Sequence, residues 1–130
     1  LALCVLDRQK EQIQFTGAMN HLVHMHDGIL NEIKGDCFSV NSIRDDFSPF
    51  TSKSIDLMSG DMVYLFSDGY MDQFGGDRDK KYSARRFYAT LLEIHHLPMA
   101  SQKKALEKKL KEWKRHYDQT DDIMVMGIRF

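Results

Sequence analysis

Apolar and polar positions divide the chain into a strand-rich opening, an irregular middle, two amphipathic stretches and a closing apolar run. Leu1-Ala2-Leu3-Cys4-Val5-Leu6-Asp7 has no polar alternation and reads as a central strand. After a polar turn over residues 8–11, Gln12-Ile13-Gln14-Phe15-Thr16-Gly17-Ala18 alternates as a half-buried strand should. Residues 22–25 and 29–33 flank Asp27-Gly28, a short hairpin signal because both residue types tolerate positive φ. The opening half is therefore expected to be an antiparallel meander. From 35 to 54 no period survives, and Pro49 falls within this irregular connection.

Ser59-Gly60-Asp61 reads as a turn into Met62-Val63-Tyr64-Leu65-Phe66, a buried strand that stops abruptly at Ser67-Asp68-Gly69. Residues 75–81 (Gly-Gly-Asp-Arg-Asp-Lys-Lys) form a polar loop. Ser83 is placed to cap a helix reaching about His95, with Phe87, Leu91 and Ile94, flanked by Tyr88 and Leu92, on its apolar face. Pro98 closes the link. A second helix is expected from about Ser101 to Tyr117, its stripe being Leu106, Leu110, Trp113 and Tyr117. Residues 123–130 are a last apolar strand with a buried-core pattern. The order predicts an α+β domain spanning 1–130, in which helices cover a largely antiparallel sheet or sandwich.

Composition changes this picture little. The 130 residues are 42% apolar and 28% charged with net charge −1, which suits one domain with a modest core. Near-neutral charge gives no push toward nucleic acid or an anionic membrane. No apolar stretch is long enough to span a bilayer and no signal-peptide pattern is visible. Cys4 and Cys37 share no metal-type spacing and read as free thiols of a reducing compartment, so a cytoplasmic location is expected.

The candidate chemistry lies at two strand tips. Asp68 sits where one apolar run ends, and Asp121-Asp122 stand where the last one begins. Antiparallel pairing of the two strands would bring these acids to one rim. Carboxylates held close repel, so such a rim predicts a divalent cation or a raised pKa. Read alone, Asp68-Gly69 is simply a turn, and Asp121-Asp122 has the alternative of a solvated acidic loop before a strand. His24 and His26 point to one face of a strand, with His21 nearby, but no further ligand stands at a convincing spacing, so a surface or packing role is expected. The lysines of the second helix are interrupted by Glu107 and Glu112 and read as a solvated face. His95-His96 suit a helix C-terminus, where a protonated imidazole favours the dipole.

Leu-Phe-Ser-Asp-Gly-Tyr at 65–70, with Thr-Asp-Asp-Ile at 120–123, resembles the metal-dependent protein phosphatases of the protein phosphatase 2C class. More narrowly, the chain is similar to bacterial sporulation-stage-II-E-type serine phosphatases. Gly17-Ala18-Met19-Asn20, Asp27-Gly28, Ile33-Lys34-Gly35-Asp36, Asp72-Gln73-Phe74-Gly75-Gly76 and His95-His96-Leu97-Pro98-Met99 fall where that subfamily carries similar residues. The resemblance runs over essentially the whole chain.

This resemblance implies hydrolysis of phosphoserine or phosphothreonine on a signalling protein, such as an anti-anti-sigma factor, with two Mn2+ or Mg2+ ions in the complete domain. It implies Asp68 and Asp121 as metal ligands, with Asp122 as a further ligand or an outer-shell contact, and an upstream sensor region in the same polypeptide. The family's Asp-x-x-Gly-His-Gly-like segment, which carries the metal-bridging acid, has no counterpart here. His21 stands where many members have proline, residues 38–42 replace a common turn, and Met124 replaces a usual threonine. The expectation is thus the C-terminal part of a phosphatase domain, inactive in isolation and prone to self-association. A non-catalytic phosphatase-like interaction module is the alternative. No nucleic-acid binding and no direct membrane insertion are expected.

Overall fold

The computed structural model describes residues 1–40 and 50–130. Among the described residues there are nine strands: β1 (Ala2–Asp7), β2 (Gln12–Gly17), β3 (Leu22–His26), β4 (Ile29–Ile33), β5 (Lys53–Asp56), β6 (Met62–Phe66), β7 (Phe74–Gly75), β8 (Lys80–Lys81) and β9 (Val125–Arg129). Three helices, α1 (Gly69–Asp72), α2 (Ala84–Ile94) and α3 (Met99–Lys114), lie between β6 and β9 in the chain. One sheet has the order β1-β2-β5 and a second β4-β3-β6-β9; β7 and β8 form a separate small hairpin. Every pairing between strands is antiparallel.

The three layers follow from the period of β6. Met62, Tyr64 and Phe66 pack into one apolar cluster with Tyr70, Phe87, Leu91 and the partly buried Leu106, Leu110 and Trp113 of the helices. Val63 and Leu65 point the other way, into a cluster with Ile13, Phe15 and Ile55 of the first sheet. A strand covered on both faces must be apolar at every position, which is why the run has no polar alternation. β3 divides likewise, with Leu22 toward the first sheet and Val23 and Met25 toward the helices. The β3–β4 hairpin closes through Asp27 and Gly28, both at positive φ (48° and 75°), as its two-residue loop requires.

Several expectations are corrected. The opening half is not one meander, because β1–β2 and β3–β4 belong to different sheets. Between them Met19 takes a left-handed conformation and Ala18 makes an isolated parallel bridge to Asp36, carrying the chain across. β1 pairs only with β2, and Leu1, Leu3 and Val5 are exposed, so it is an edge strand rather than a central one. β9 is also an edge strand, with Met124, Met126 and Ile128 exposed beside it. Apolar content reported burial on both faces for β6 but not for these two, since edge position depends on neighbours remote in sequence.

β5 lies at the end of the stretch expected to be irregular and pairs with β2 from Gln12↔Asp56 to Phe15↔Lys53. Pro49 falls outside the described residues. The polar loop after Gly75 ends in the short strand β8, and Ser67-Asp68-Gly69 leads into α1 rather than a simple turn. Ser83 does precede α2, but at φ 78° and without a side-chain capping bond. α3 begins at Met99, behind Pro98, and ends at Lys114, short of Tyr117.

Candidate functional site

β6 and β9 pair from Met62↔Arg129 to Phe66↔Val125, so the exit of one and the entry of the other share a rim. Beyond the last pair, the Ser67 amide donates to the Met124 carbonyl at 3.0 Å, extending the ladder. The Ser67 hydroxyl donates to the Asp122 carbonyl at 2.7 Å and accepts the Met124 amide at 2.9 Å. Gly69 comes so near the same segment that an added Cβ would stand 2.4 Å from the Asp122 carbonyl oxygen. In sequence Asp68 lies between Ser67 and Gly69, the two residues that meet the Asp122 carbonyl.

The acids themselves are exposed. Asp68 holds the N-cap position of α1, and its backbone carbonyl accepts the Met71 and Asp72 amides at 2.9 Å each. Its side chain makes no capping bond. Asp121 Oδ1 accepts the Asp122 amide at 2.7 Å, and Gln119 Nε2 donates to the Asp121 carbonyl at 2.8 Å, which steadies this turn. Hard oxygen donors open to solvent suit a hard divalent cation such as Mg2+ or Mn2+. Among the described residues, however, no group of three or more His, Cys, Asp or Glu side chains is placed to hold a metal. The rim offers donors of the right chemistry without a closed ligand set.

A second polar constellation lies elsewhere in the sheet, on the residue preceding β6. Asp61, 3% exposed, receives His24 Nε2 on Oδ2 and His26 Nδ1 on Oδ1, both at 2.8 Å, and the Met58 amide donates to Oδ2 at 3.0 Å. Burial pushes the Asp61 carboxyl up, but the Met58 amide and the two imidazoles outweigh it and hold it below its usual value. The Asp61 hydrogen bond in turn raises His26, against partial burial and with help from Asp27. Sequence reading singled out the two histidines but not Asp61. The signal that could have found it is the register, in which Met25↔Met62 pairing sets Asp61 beside the end of β3. A buried carboxylate needs hydrogen-bond partners, and three donors meet Asp61 here, so this network belongs to the core. His21 is apart from it, its Nδ1 accepting the Gly35 amide at 3.1 Å.

The other candidates resolve simply. Lys103–Glu107 and Lys108–Glu112 form exposed pairs along α3 at 3.9 and 3.8 Å, as a solvated face should. His95 follows α2 at its C-cap and bonds to the Leu92 carbonyl through Nδ1 at 2.7 Å. Both cysteines are free thiols. No helix among the described residues is long and apolar enough to cross a membrane.

The family model for Stage II sporulation protein E (SpoIIE) matches residues 1–130, the entire chain. The chain belongs to the SpoIIE family. Its fold is that of the protein phosphatase 2C domains, and it is therefore a phosphatase-family domain. The SiaA-PP2C domain of Pseudomonas aeruginosa is similar at TM-score 0.89 and 29% identity, over 99% of this chain and 50% of that one. The PP2C phosphatase domain of the cell fate determinant SpoIIE from Bacillus subtilis, with a fragment of its regulatory domain, is similar at TM-score 0.73 and 15% identity. That match covers 99% of this chain and 37% of the other. A Mn-presoaked structure of the Bacillus subtilis SpoIIE phosphatase domain gives TM-score 0.66 at 16% identity, over 99% of this chain and 55% of that one. The SpoIIE-family chain thus spans about half the length, or less, of these solved relatives. No curated protein matches it in sequence.

Proposed function

We propose that the chain is the C-terminal part of a metal-dependent protein-serine/threonine phosphatase domain, with Asp68, Asp121 and Asp122 contributing carboxylates to a Mn2+ or Mg2+ site. The observation that carries this reading is the hydrogen bond from the Ser67 hydroxyl to the Asp122 carbonyl, which ties the backbone leaving β6 to the backbone entering β9. When bound, such cations supply positive charge that polarises a phosphoryl group and neutralises charge developing on it. The chain's own part is to hold oxygen donors at fixed positions. The buried strand β6 anchors the backbone that leads to the exposed Asp68, and the Ser67 hydroxyl fixes the backbone that carries Asp122. The substrate is a phosphoserine or phosphothreonine side chain on a cytoplasmic regulatory protein such as an anti-anti-sigma factor, delivered under control of a sensor region in the same polypeptide.

Carboxylates from two strand tips alone do not close a two-ion site, so the isolated chain binds the metal weakly and hydrolyses little. Mn2+ titration by calorimetry, with wild type, Asp68→Asn and Asp121→Asn, tests this. Weak binding abolished by either substitution supports it, whereas unchanged binding in both variants overturns it. Rapid Mn2+-dependent hydrolysis of para-nitrophenyl phosphate by the chain alone would overturn the inactivity. The lack of a three-residue ligand group among the described residues favours, as a second reading, a phosphatase-like interaction module. A phosphoprotein bound equally well by wild type and Asp68→Asn, and never hydrolysed, would select it. The uncovered edges β1 and β9 also favour self-association through a second copy, which light scattering would reveal as a mass rising with concentration.

A further inference from the structure

A cavity of about 550 Å3 opens between the β7–β8 hairpin, the first turn of α2 and the end of α3. Its wall carries five cations, Arg78, Lys80, Arg86, Lys109 and Arg115, and only two acids, Asp77 and Glu112. On a chain of net charge −1 this is a local concentration of one sign, not a reflection of overall composition. Two of the cations are already engaged: Arg115 pairs with Asp77 at 2.7 Å and Lys109 with Glu93 at 2.8 Å. Glu112 faces Lys108 at 3.8 Å. Arg78, Lys80 and Arg86 have no carboxylate partner among the described residues.

Arg86 is also oriented. Its guanidinium carbon lies 4.5 Å from the centre of the Trp113 ring, and Nη1 donates to the Tyr82 carbonyl at 3.5 Å. Trp113 is itself fixed, its Nε1 donating to the Gln73 carbonyl at 2.9 Å, and Gly76 packs on its ring where an added Cβ would come within 2.8 Å. A guanidinium held over a fixed indole loses little freedom when its remaining N–H groups bind an anion, and the planar fork suits bidentate capture of oxygens. Three cations without a carboxylate partner, Arg78 and Lys80 on the β7–β8 hairpin and Arg86 on α2, call for an anion with oxygens in several directions. A tetrahedral phosphate presents them, whereas a planar carboxylate presents two in one plane. The volume is that of a small-molecule site.

We propose that this cavity binds a phosphate group carrying two or more negative charges, held by Arg78, Lys80 and Arg86, at a site separate from the Asp68–Asp122 rim. The phosphate belongs either to a free phosphate ester or to a phosphorylated side chain of a protein partner. Trp113 is the chain's single tryptophan, so its fluorescence reports on this cavity alone. The full chain is titrated with pyrophosphate at constant ionic strength and without divalent metal, which separates the outcome from that of the proposed phosphatase site. A saturable change with Kd below about 1 mM, weakened at least about tenfold by the double substitution Arg78→Gln and Lys80→Gln with unchanged circular dichroism, is expected. No saturable change, an equal response in the double variant, or citrate binding as tightly as pyrophosphate would each overturn the proposal. A phosphoserine peptide that binds more tightly than pyrophosphate assigns the site to a protein side chain, and the reverse order assigns it to a free ester.

Discussion

Ser67 and Asp122, 55 positions apart, are joined by the Ser67 hydroxyl, which donates to the Asp122 carbonyl and accepts the Met124 amide. The Ser67 side chain therefore works as an extra rung beyond the last Phe66↔Val125 pair. Replacing Ser67 by Ala removes two hydrogen bonds at an exposed rim, where water partly replaces them. A loss of about 1 kcal/mol is expected, read from urea unfolding. Retention of full stability would show that the tie contributes nothing and that the tips are held by the strands alone.

Gly69 makes the closest approach between the tips. An alanine there meets the Asp122 carbonyl oxygen and the Ile123 side chain at 2.4 and 3.2 Å, so the 121–123 backbone must move away. Gly69→Ala is expected to cost about 1–3 kcal/mol and to shift the amide resonances of residues 121–124. Unchanged resonances there would mean that the close packing is absent in solution.

Gln102 joins α3 to both β6 and the α2–α3 link. The Tyr64 hydroxyl donates to its Oε1 at 2.7 Å, while its Nε2 donates to the carbonyls of His95 and Leu97, each at 2.9 Å. Both Gln102 and Tyr64 are buried. Burial pushes the Tyr64 hydroxyl up to about 12, Arg129 opposing, so it stays a proton donor throughout the neutral range. Gln102→Leu keeps the bulk but strands the buried tyrosine hydroxyl and takes one of two donors from the His95 and Leu97 carbonyls, which keep Arg129 Nη2 at 2.6 and 2.7 Å. A cost of about 1–3 kcal/mol by chemical denaturation is expected. A change below about 0.5 kcal/mol would show that water satisfies these groups.

The Asp61 network makes stability depend on pH from both sides. The ordinary value for His26 is 6.5 and its folded value is higher, so its contribution is complete below pH 6.5 and is lost as pH rises through the raised value. Asp61 has an ordinary value of 3.8 and a lower folded one, so its contribution is complete above pH 3.8 and is lost as pH falls through the depressed value. The melting temperature should be highest between these limits, with His24, Asp27 and the Met58 amide completing the surroundings. His26→Gln should flatten the decline on the alkaline side. An identical alkaline slope in that variant would assign the decline to other groups.

Some of this was legible because one residue's neighbours along the chain were enough. Asp27-Gly28 announced its hairpin, since its φ angles are a local matter. Phe87, Leu91 and Ile94 announced the buried face of α2 by spacing alone. Met62 to Phe66 read as a buried strand, and the structure covers it on both faces. The acids at 68 and 121–122 were visible as strand-end carboxylates, and their possible meeting could be stated only as a condition on pairing.

Asp61 carried no mark in the sequence, because a buried carboxylate is recognised by the donors around it and those come from β3 and the Met58 amide. The basic cavity was equally hidden, its cations being scattered over the β7–β8 hairpin, α2 and the end of α3. Leu3 and Val5 in β1 look like core residues by type but stand exposed on an edge strand. Residue type and period determined which segments became strands and helices, since those depend on local dihedral preference and on which side chains avoid water. Strand order, edge position and the company of each polar group were decided by tertiary structure, since they depend on contacts between segments far apart in the chain.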